Sequence, residues 1–195
     1  YVGKEVFPKS LNGQDIGAYL LLTFDANTPD ELDAMVEQAG ELVLEAGAMD
    51  VLVADTPAKL KDAWAARSSF LEAIMEETKL LDECDVVLPV NKIADYLEFV
   101  NKTGEECGLV IKSFGHAGDG NLHIYQCSND LEEEEFKKRV DAFFEKIYKE
   151  AIDCGGLVSG EHGIGSGKIK YLAESIGEVN MSLMEGIKKV FDPKM

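Results

Sequence analysis

The sequence lacks long apolar runs, paired cysteines and an excess of basic residues, and each absence excludes a class of protein. No apolar run approaches the ~20 residues that a membrane-spanning helix needs, which argues against an integral membrane protein. Only 19 Lys and Arg stand against 37 Asp and Glu. The resulting formal net charge of −18 disfavours binding to nucleic acid through phosphate neutralisation.

Cysteine usage bears on metal binding and on location. The four cysteines of the chain are Cys84, Cys107, Cys127 and Cys154, and no two of them form a C-x-x-C pair. We therefore do not expect a structural zinc site built from thiolates. Such scattered residues are typical of reduced thiols packed as small hydrophobes. We therefore predict a cytoplasmic protein, with a peripheral position at the inner face of the membrane as the alternative.

Length and termini bound the domain count. A chain of 195 residues is long enough for one large domain and short for two, so we predict a single domain over 1–195. The start, YVGKEVFPKS, has neither an initiating Met nor a basic leader before an apolar stretch. The chain stops just after Asp192-Pro193 without a polar tail. Both ends lead us to expect a piece of a longer protein.

The apolar period switches between 2 and 3.6, which predicts mixed strands and helices. Thr-Pro pairs at 28–29 and 56–57 are typical helix starts. The acidic run in DLEEEEFKKR suits the first turns of another helix. We predict strands at 16–26, 50–55, 84–90, 108–116 and 121–127, helices at 28–47, 56–77, 91–107 and 130–153, a loop or short strand at 155–163, and helix thereafter. This order favours an α+β, ferredoxin-like sandwich: a mainly antiparallel sheet with helices on one face, followed by a C-terminal helical segment.

Histidine is scarce, and all three histidines lie in two glycine-rich segments, GHAGDGNLH and SGEHGIGSGK. If Asp119-Gly120 forms a two-residue hairpin turn, His116 and His123 become direct cross-strand partners. Their Cβ atoms would then be ~4.5–5.5 Å apart, close enough to hold one divalent ion. Glu161 is the candidate third ligand, because two imidazoles and a carboxylate make a common open metal site.

Other interpretations of these segments stay open or fail. Two histidines beside a turn can be polar surface residues, and glycine-rich stretches are often plain loops. The phosphate-loop pattern would need a glycine at position 162 and a hydroxyl residue at position 169, where the chain has His162 and Ile169. Neither G-x-G-x-x-G nor G-x-S-x-G is present.

The motifs GHAGDGNLH and GEHGIGSGK, with WAAR and KKVFDP, closely resemble the C-terminal, substrate-binding cap domain of FAD-linked oxidases of the vanillyl-alcohol-oxidase type. Within that family the resemblance is to the group of D-lactate dehydrogenase, glycolate oxidase large subunit and D-2-hydroxyglutarate dehydrogenase. It extends over nearly the whole chain. It implies that FAD is bound by a separate N-terminal domain that no segment here matches, so we expect this chain alone to be inactive and its FAD-binding residues stay unknown.

The resemblance also implies roles for individual residues. His116, His123 and Glu161 would hold zinc, manganese or iron, His162 would be the catalytic base, and Arg67 of WAAR would bind a substrate carboxylate. An ordinary helix-surface cation is the alternative for Arg67. Lys112 and Lys168 could add positive potential, on position alone.

The resemblance implies the chemical class of the substrate and the kind of electron acceptor, but not the particular molecules. After Arg67 the chain has SSFLEAIMEE, and Phe70 and Leu71 are poor anion ligands, which favours a small 2-hydroxy monocarboxylate such as lactate or glycolate over a dicarboxylate. The partners expected from the resemblance are the FAD-binding domain and an electron-transfer flavoprotein or iron–sulfur subunit. A metal-binding, ligand-sensing module without redox activity and a purely structural assembly domain are the alternative functions.

Overall fold

The structure is a computed structural model that describes residues 7–194, and these fall into two compact units, residues 7–73 and residues 74–194. Residues 1–6, on which the argument about a leader partly rests, and Met195 lie outside the described residues. The assignment of 1–195 to one cap domain stays a prediction. Among the described residues, no helix combines the length and apolar character required to cross a membrane.

The first unit is mainly helical, and its two long helices begin where the Thr-Pro pairs predict. The Oγ of Thr28 accepts a hydrogen bond from the amide of Glu31, and that of Thr56 accepts one from Lys59, both at 3.3 Å. These bonds satisfy amides that have no partner within the helix. The elements are β1 (Ser10–Leu11), β2 (Gln14–Asp15), α1 (Pro29–Glu45), α2 (Pro57–Ser68) and α3 (Phe70–Glu77), which crosses the unit boundary.

Three predictions for this part of the chain are wrong. The helix predicted over 56–77 is broken at Ser69, whose Oγ donates to the carbonyl of Ala65 at 2.8 Å and so competes with the backbone. The segments 16–26 and 50–55 are not strands. Apolar composition favours a strand, but a strand also needs a backbone partner, and in the described part of the first unit these segments pair with none.

The second unit contains a three-stranded antiparallel sheet in the order β3-β5-β4. The helix between β3 and β4 ends at Gly108, whose φ of 65° is the left-handed conformation that glycine adopts readily. The last helix is interrupted at Gly177. The elements are β3 (Leu80–Val87), α4 (Ile93–Cys107), β4 (Val110–His116), β5 (Asn121–Ser128), α5 (Glu133–Asp153) and α6 (Ile169–Phe191).

The main core lies between one face of this sheet and the helices α4 and α5. Cys84 and Ile124 from the sheet pack with Val100 of α4 and Phe143 of α5, and all four are buried. Burial raises the pKa of the Cys84 thiol, in agreement with the prediction that it packs as a small hydrophobe. The α+β class is therefore confirmed. The ferredoxin-like arrangement stays a prediction, since the segment after α5 contributes only a bridge between Val87 and Leu157.

The β4–β5 connection differs from the two-residue turn that the sequence predicts. Four residues, 117–120, join the strands, so His116 pairs with Asn121 and His123 pairs with Phe114. Gly120 is fixed elsewhere: its carbonyl accepts a hydrogen bond from Leu88 at 3.0 Å, and a Cβ at Gly120 would lie 1.9 Å from the carbonyl oxygen of Leu88. The longer turn is closed by hydrogen bonds from the amides of Asp119 and Gly120 to the carbonyl of His116, at 3.3 and 3.1 Å.

Candidate active site

One face of the sheet carries carboxylates and an imidazole, whereas the other face holds the core. Side chains alternate along a strand, so Glu83 and Asp85 lie on the face opposite to Cys84 and Val86. The register places Asp85 directly beside His123. Strands β3 and β5 therefore bring two carboxylates and one imidazole onto the same patch.

His123 is at the centre of this patch, and each of its ring nitrogens faces a carboxylate. Its Nδ1 lies 3.0 Å from Oε1 of Glu83, and its Nε2 lies 2.9 Å from Oε1 of Glu161. Only 8% of the His123 side chain is exposed. The phenyl ring of Phe114 lies beside the imidazole, with ring centroids 5.7 Å apart. The orientation of His123 is thus set by packing and by both neighbours.

His162 lies next to His123 but is open to solvent. The two imidazole centroids are 5.0 Å apart. The Nδ1 of His162 is 3.5 Å from Oε1 of Glu83 and 4.0 Å from Oδ1 of Asp85. Its side chain is 44% exposed, and that of Glu161 is 55% exposed. A small molecule can therefore reach both of these side chains from the solvent.

A single buried carboxylate holds the loop 159–163 that carries Glu161 and His162. The Oδ2 of Asp85 accepts hydrogen bonds from the hydroxyl of Ser159 at 2.9 Å and from the amides of Gly160, Glu161 and His162 at 2.7, 2.9 and 3.1 Å. Asp85 has no exposed surface. Four donors on one oxygen fix the backbone of the loop, and with it the two side chains that face His123.

Lys168 pairs with Asp85, and its ammonium also donates to the Asp85 carbonyl at 3.2 Å. Burial alone raises the pKa of this carboxyl, but the hydrogen bonds from Lys168, His162 and Glu161 outweigh burial and hold the pKa well below its usual range. Much of the positive charge of Lys168 is thereby balanced within the protein. Lys112, the other cation near the motifs, pairs with Glu77.

The predicted pairing of His116 with His123 is wrong in register. His116 is exposed at the end of β4, opposite Asn121. It shares a sheet face with His123 as a diagonal neighbour, for which Cβ separations of ~7–8 Å are usual. The longer turn 117–120 causes this shift. The role of His116 as a metal ligand stays a prediction.

Arg67 lies near the end of α2, in the first unit. Its guanidinium is 5.7 Å from the ring centroid of Phe70. Trp64, one turn earlier, is half exposed. The predicted binding of a substrate carboxylate by Arg67 stays a prediction.

Glu83 and Asp85 are the site residues that the sequence predictions missed. A signal was present: two acidic residues alternate with Cys84 and Val86 in a strand that is otherwise apolar at its end. A charge in a buried strand requires a partner, so Asp85 was a candidate for a charged contact.

Imidazole and carboxylate groups in this arrangement suit a divalent cation. One ligand atom from each of Glu83, His123 and His162 lies within 4.8 Å of the others. Nitrogen and oxygen donors together favour zinc, manganese or iron. The fold and the site thus define a class: an α+β domain with a histidine–carboxylate cluster on one sheet face.

Comparison with known proteins gives the family. Residues 3–195 match the family of FAD linked oxidases, C-terminal domain, and the chain belongs to this family. It is 62% identical over 195 residues to a D-lactate dehydrogenase of Anaerostipes hadrus, covering 100% of this chain and 41% of the relative.

Two more distant relatives agree with this assignment. The chain is 34% identical over 194 residues to a D-lactate dehydrogenase of Archaeoglobus fulgidus, covering 99% of this chain and 41% of the relative. It is 30% identical over 185 residues to the glycolate oxidase subunit GlcD of Bacillus subtilis, covering 93% of this chain and 39% of the relative. The chain therefore spans about two fifths of the length of these relatives.

Proposed function

We propose that this chain is the substrate- and metal-binding part of a flavin-dependent dehydrogenase that oxidises a D-2-hydroxy acid of the lactate or glycolate type to the 2-oxo acid. The observation that carries the proposal is the position of His123 within 2.9 Å of Glu161, with the imidazole of His162 alongside. The names of the similar proteins support the reaction class. FAD binding is assigned to the remaining length of the full protein.

His123, Glu161 and His116 are the proposed metal ligands. Two donors at the ~2.0–2.2 Å ligand distances of a divalent ion, about a right angle apart, are separated by about 3 Å. The 2.9 Å between His123 Nε2 and Glu161 Oε1 fits this requirement. The exposed His116 on the same sheet face would complete the set from the solvent side.

His162 and Arg67 are the proposed catalytic and substrate-binding residues. When bound, the metal supplies Lewis acidity that lowers the pKa of a substrate hydroxyl, and FAD supplies the acceptor for the hydride. His162 takes the hydroxyl proton on Nε2, because its Nδ1 faces Glu83. Arg67 binds the carboxylate and so orients the α-carbon.

The metal ligands are tested by replacing His116 and His123 together with Ala. We expect the bound metal to be lost while the circular dichroism spectrum is retained, because His116 is exposed and neither residue belongs to the main core. Elemental analysis after loading with Mn²⁺ or Zn²⁺ measures the change. Equal metal in the wild type and the double variant would contradict the ligand assignment.

Arg67→Lys is expected to lower kcat/KM of the full-length enzyme by about 10-fold or more, since an ammonium does not reproduce the bidentate geometry of a guanidinium. Lys61→Arg, a change of the same kind at an exposed position of α2, is the control. Steady-state kinetics with D-lactate and glycolate measure the effect. Unchanged kinetics in Arg67→Lys would remove Arg67 from the site.

The reaction itself is tested with the full-length protein and an artificial electron acceptor. We compare D-lactate, glycolate and D-2-hydroxyglutarate. Turnover of the monocarboxylates is the expected result. Bound flavin with no turnover of any 2-hydroxy acid would contradict the proposed function.

A further inference from the structure

Among residues 7–194, Glu83 is the carboxylate that faces both imidazoles of the site. The same oxygen, Oε1, lies 3.0 Å from Nδ1 of His123 and 3.5 Å from Nδ1 of His162. Glu83 is largely buried, with 27% of its side chain exposed. Glu83 lies in strand β3 two residues before the buried Asp85, so both side chains lie on the same face of the sheet.

The two neighbours of His123 constrain its protonation. An ionised carboxylate only accepts hydrogen bonds, while a neutral imidazole has one N–H and one lone pair. His123 faces a carboxylate at both nitrogens, so a neutral ring satisfies only one of them. A cation bound to both the other nitrogen and its carboxylate, on the open side of the pair, satisfies the second contact, as a second ring proton also would. The more exposed Glu161, beside Nε2, is the side where an ion can enter.

We infer that Glu83 is a positioning residue whose carboxylate accepts the Nδ1–H of both His123 and His162. The Nε2 lone pair of His123 is then directed to the metal beside Glu161, and that of His162 to the substrate hydroxyl. This inference rests on the proposed function. It follows the general arrangement in which a ligating histidine donates its other N–H to a carboxylate, which fixes tautomer and ring orientation.

The same cluster allows a different arrangement, which the test must separate from this one. Glu83, His123 and His162 could themselves surround an ion, since their ligand atoms lie within 4.8 Å of one another. The metal would then be on Nδ1 of His123, and His162 would be a ligand and not a base. The two arrangements differ in which nitrogen of His123 carries a proton and which carries the metal.

Nitrogen NMR of the histidine rings distinguishes these arrangements. The chain contains three histidines, so ¹⁵N-histidine labelling and long-range ¹H–¹⁵N correlation give three ring systems, assigned by the His→Ala variants. Spectra are recorded at about pH 8.5, above the ordinary imidazole pKa of about 6.5. Wild type, Glu83→Ala and Glu83→Gln are compared without metal and with Zn²⁺. Glu98→Ala, which removes an exposed carboxylate from α4, is the control.

We expect Nδ1–H for His123 and His162 in the metal-free wild type, and Zn²⁺ on Nε2 of His123. Glu83→Ala should lose the Nδ1–H preference and weaken Zn²⁺ binding by about 10- to 100-fold. Glu83→Gln should restore part of both, because its amide oxygen still accepts a hydrogen bond. Glu98→Ala should match the wild type.

Two outcomes would overturn the inference: Nε2–H on His123 in the metal-free wild type, or Zn²⁺ on its Nδ1. Both are read from the wild type, so they stand even if the Glu83 variants fail to fold. If the wild type binds no Zn²⁺, the metal part of the proposed function fails. The tautomers of the metal-free rings still decide whether Glu83 positions them.

Discussion

Replacing Asp85 with Asn is expected to lower the free energy of unfolding by about 3–5 kcal/mol, the usual cost of removing one partner from a buried ion pair. Lys168 would keep its charge with only 13% of its side chain exposed. The side-chain amide would also have to meet donors on both sides, since four hydrogen bonds converge on Oδ2 and Lys168 binds Oδ1.

Urea unfolding followed by circular dichroism measures this change. Tryptophan fluorescence is unsuitable, because the one tryptophan, Trp64, lies in the first unit, whereas Asp85 lies in the second. Hydrogen exchange at the amides of Gly160, Glu161 and His162 should become faster in Asp85→Asn, since a neutral amide oxygen accepts their hydrogen bonds more weakly than a carboxylate oxygen. A loss below about 1 kcal/mol, in the range of an exposed ion pair, would contradict the prediction.

The matched variant is Lys168→Met, which removes the cation but leaves the four neutral donors on Asp85. We expect it to be less destabilising than Asp85→Asn. The double variant gives the coupling energy of the pair. A coupling energy near zero would mean that the loop hydrogen bonds, and not the ion pair, account for the stability.

The contribution of Asp85 to the free energy of unfolding should also depend on pH. Its hydrogen bonds hold the pKa below that of the unfolded chain, about 3.9 for Asp, so the folded state binds its proton less readily. The stabilisation is therefore fully present above this value and is lost as the pH falls towards the lower folded-state pKa. The stability difference between the wild type and Asp85→Asn should shrink in acid.

Local patterns predicted much of the second unit from the sequence. The apolar period places α4, α5 and the β4–β5 pair within a few residues, because this signal acts over one or two turns of chain. The two glycine-rich histidine segments also meet, as their shared composition suggested: His123 of one contacts Glu161 of the other.

The register of the β4–β5 pair and the long-range partners of individual residues could not be predicted in the same way. The last residue of the β4–β5 turn, Gly120, contacts Leu88 in a distant part of the chain, and local sequence does not indicate such a contact. The role of Asp85 depends on a loop more than 70 residues away, at Ser159 to His162. The prediction of a strand over 16–26 is wrong because an apolar sequence favours extended backbone but does not supply a neighbouring strand.

Replacing His162 with Ala in the full-length enzyme is expected to lower kcat by about 10²- to 10⁴-fold, the range that a general base contributes. Bound metal should stay at the wild-type level, since the proposed ligands are His116, His123 and Glu161. Added imidazole should restore part of the rate, because the exposed position of His162 leaves room for a small base to enter.

Metal content and rate together separate the two possible roles of this residue. A base that is not a ligand loses rate and keeps metal, whereas a ligand in the Glu83–His123–His162 cluster loses both. His123→Ala is the matched histidine change, and it should lose metal as well as rate without rescue by imidazole. If His162→Ala releases the metal, the ion lies on the Nδ1 side of His123, and the proton of the substrate hydroxyl must go to another group.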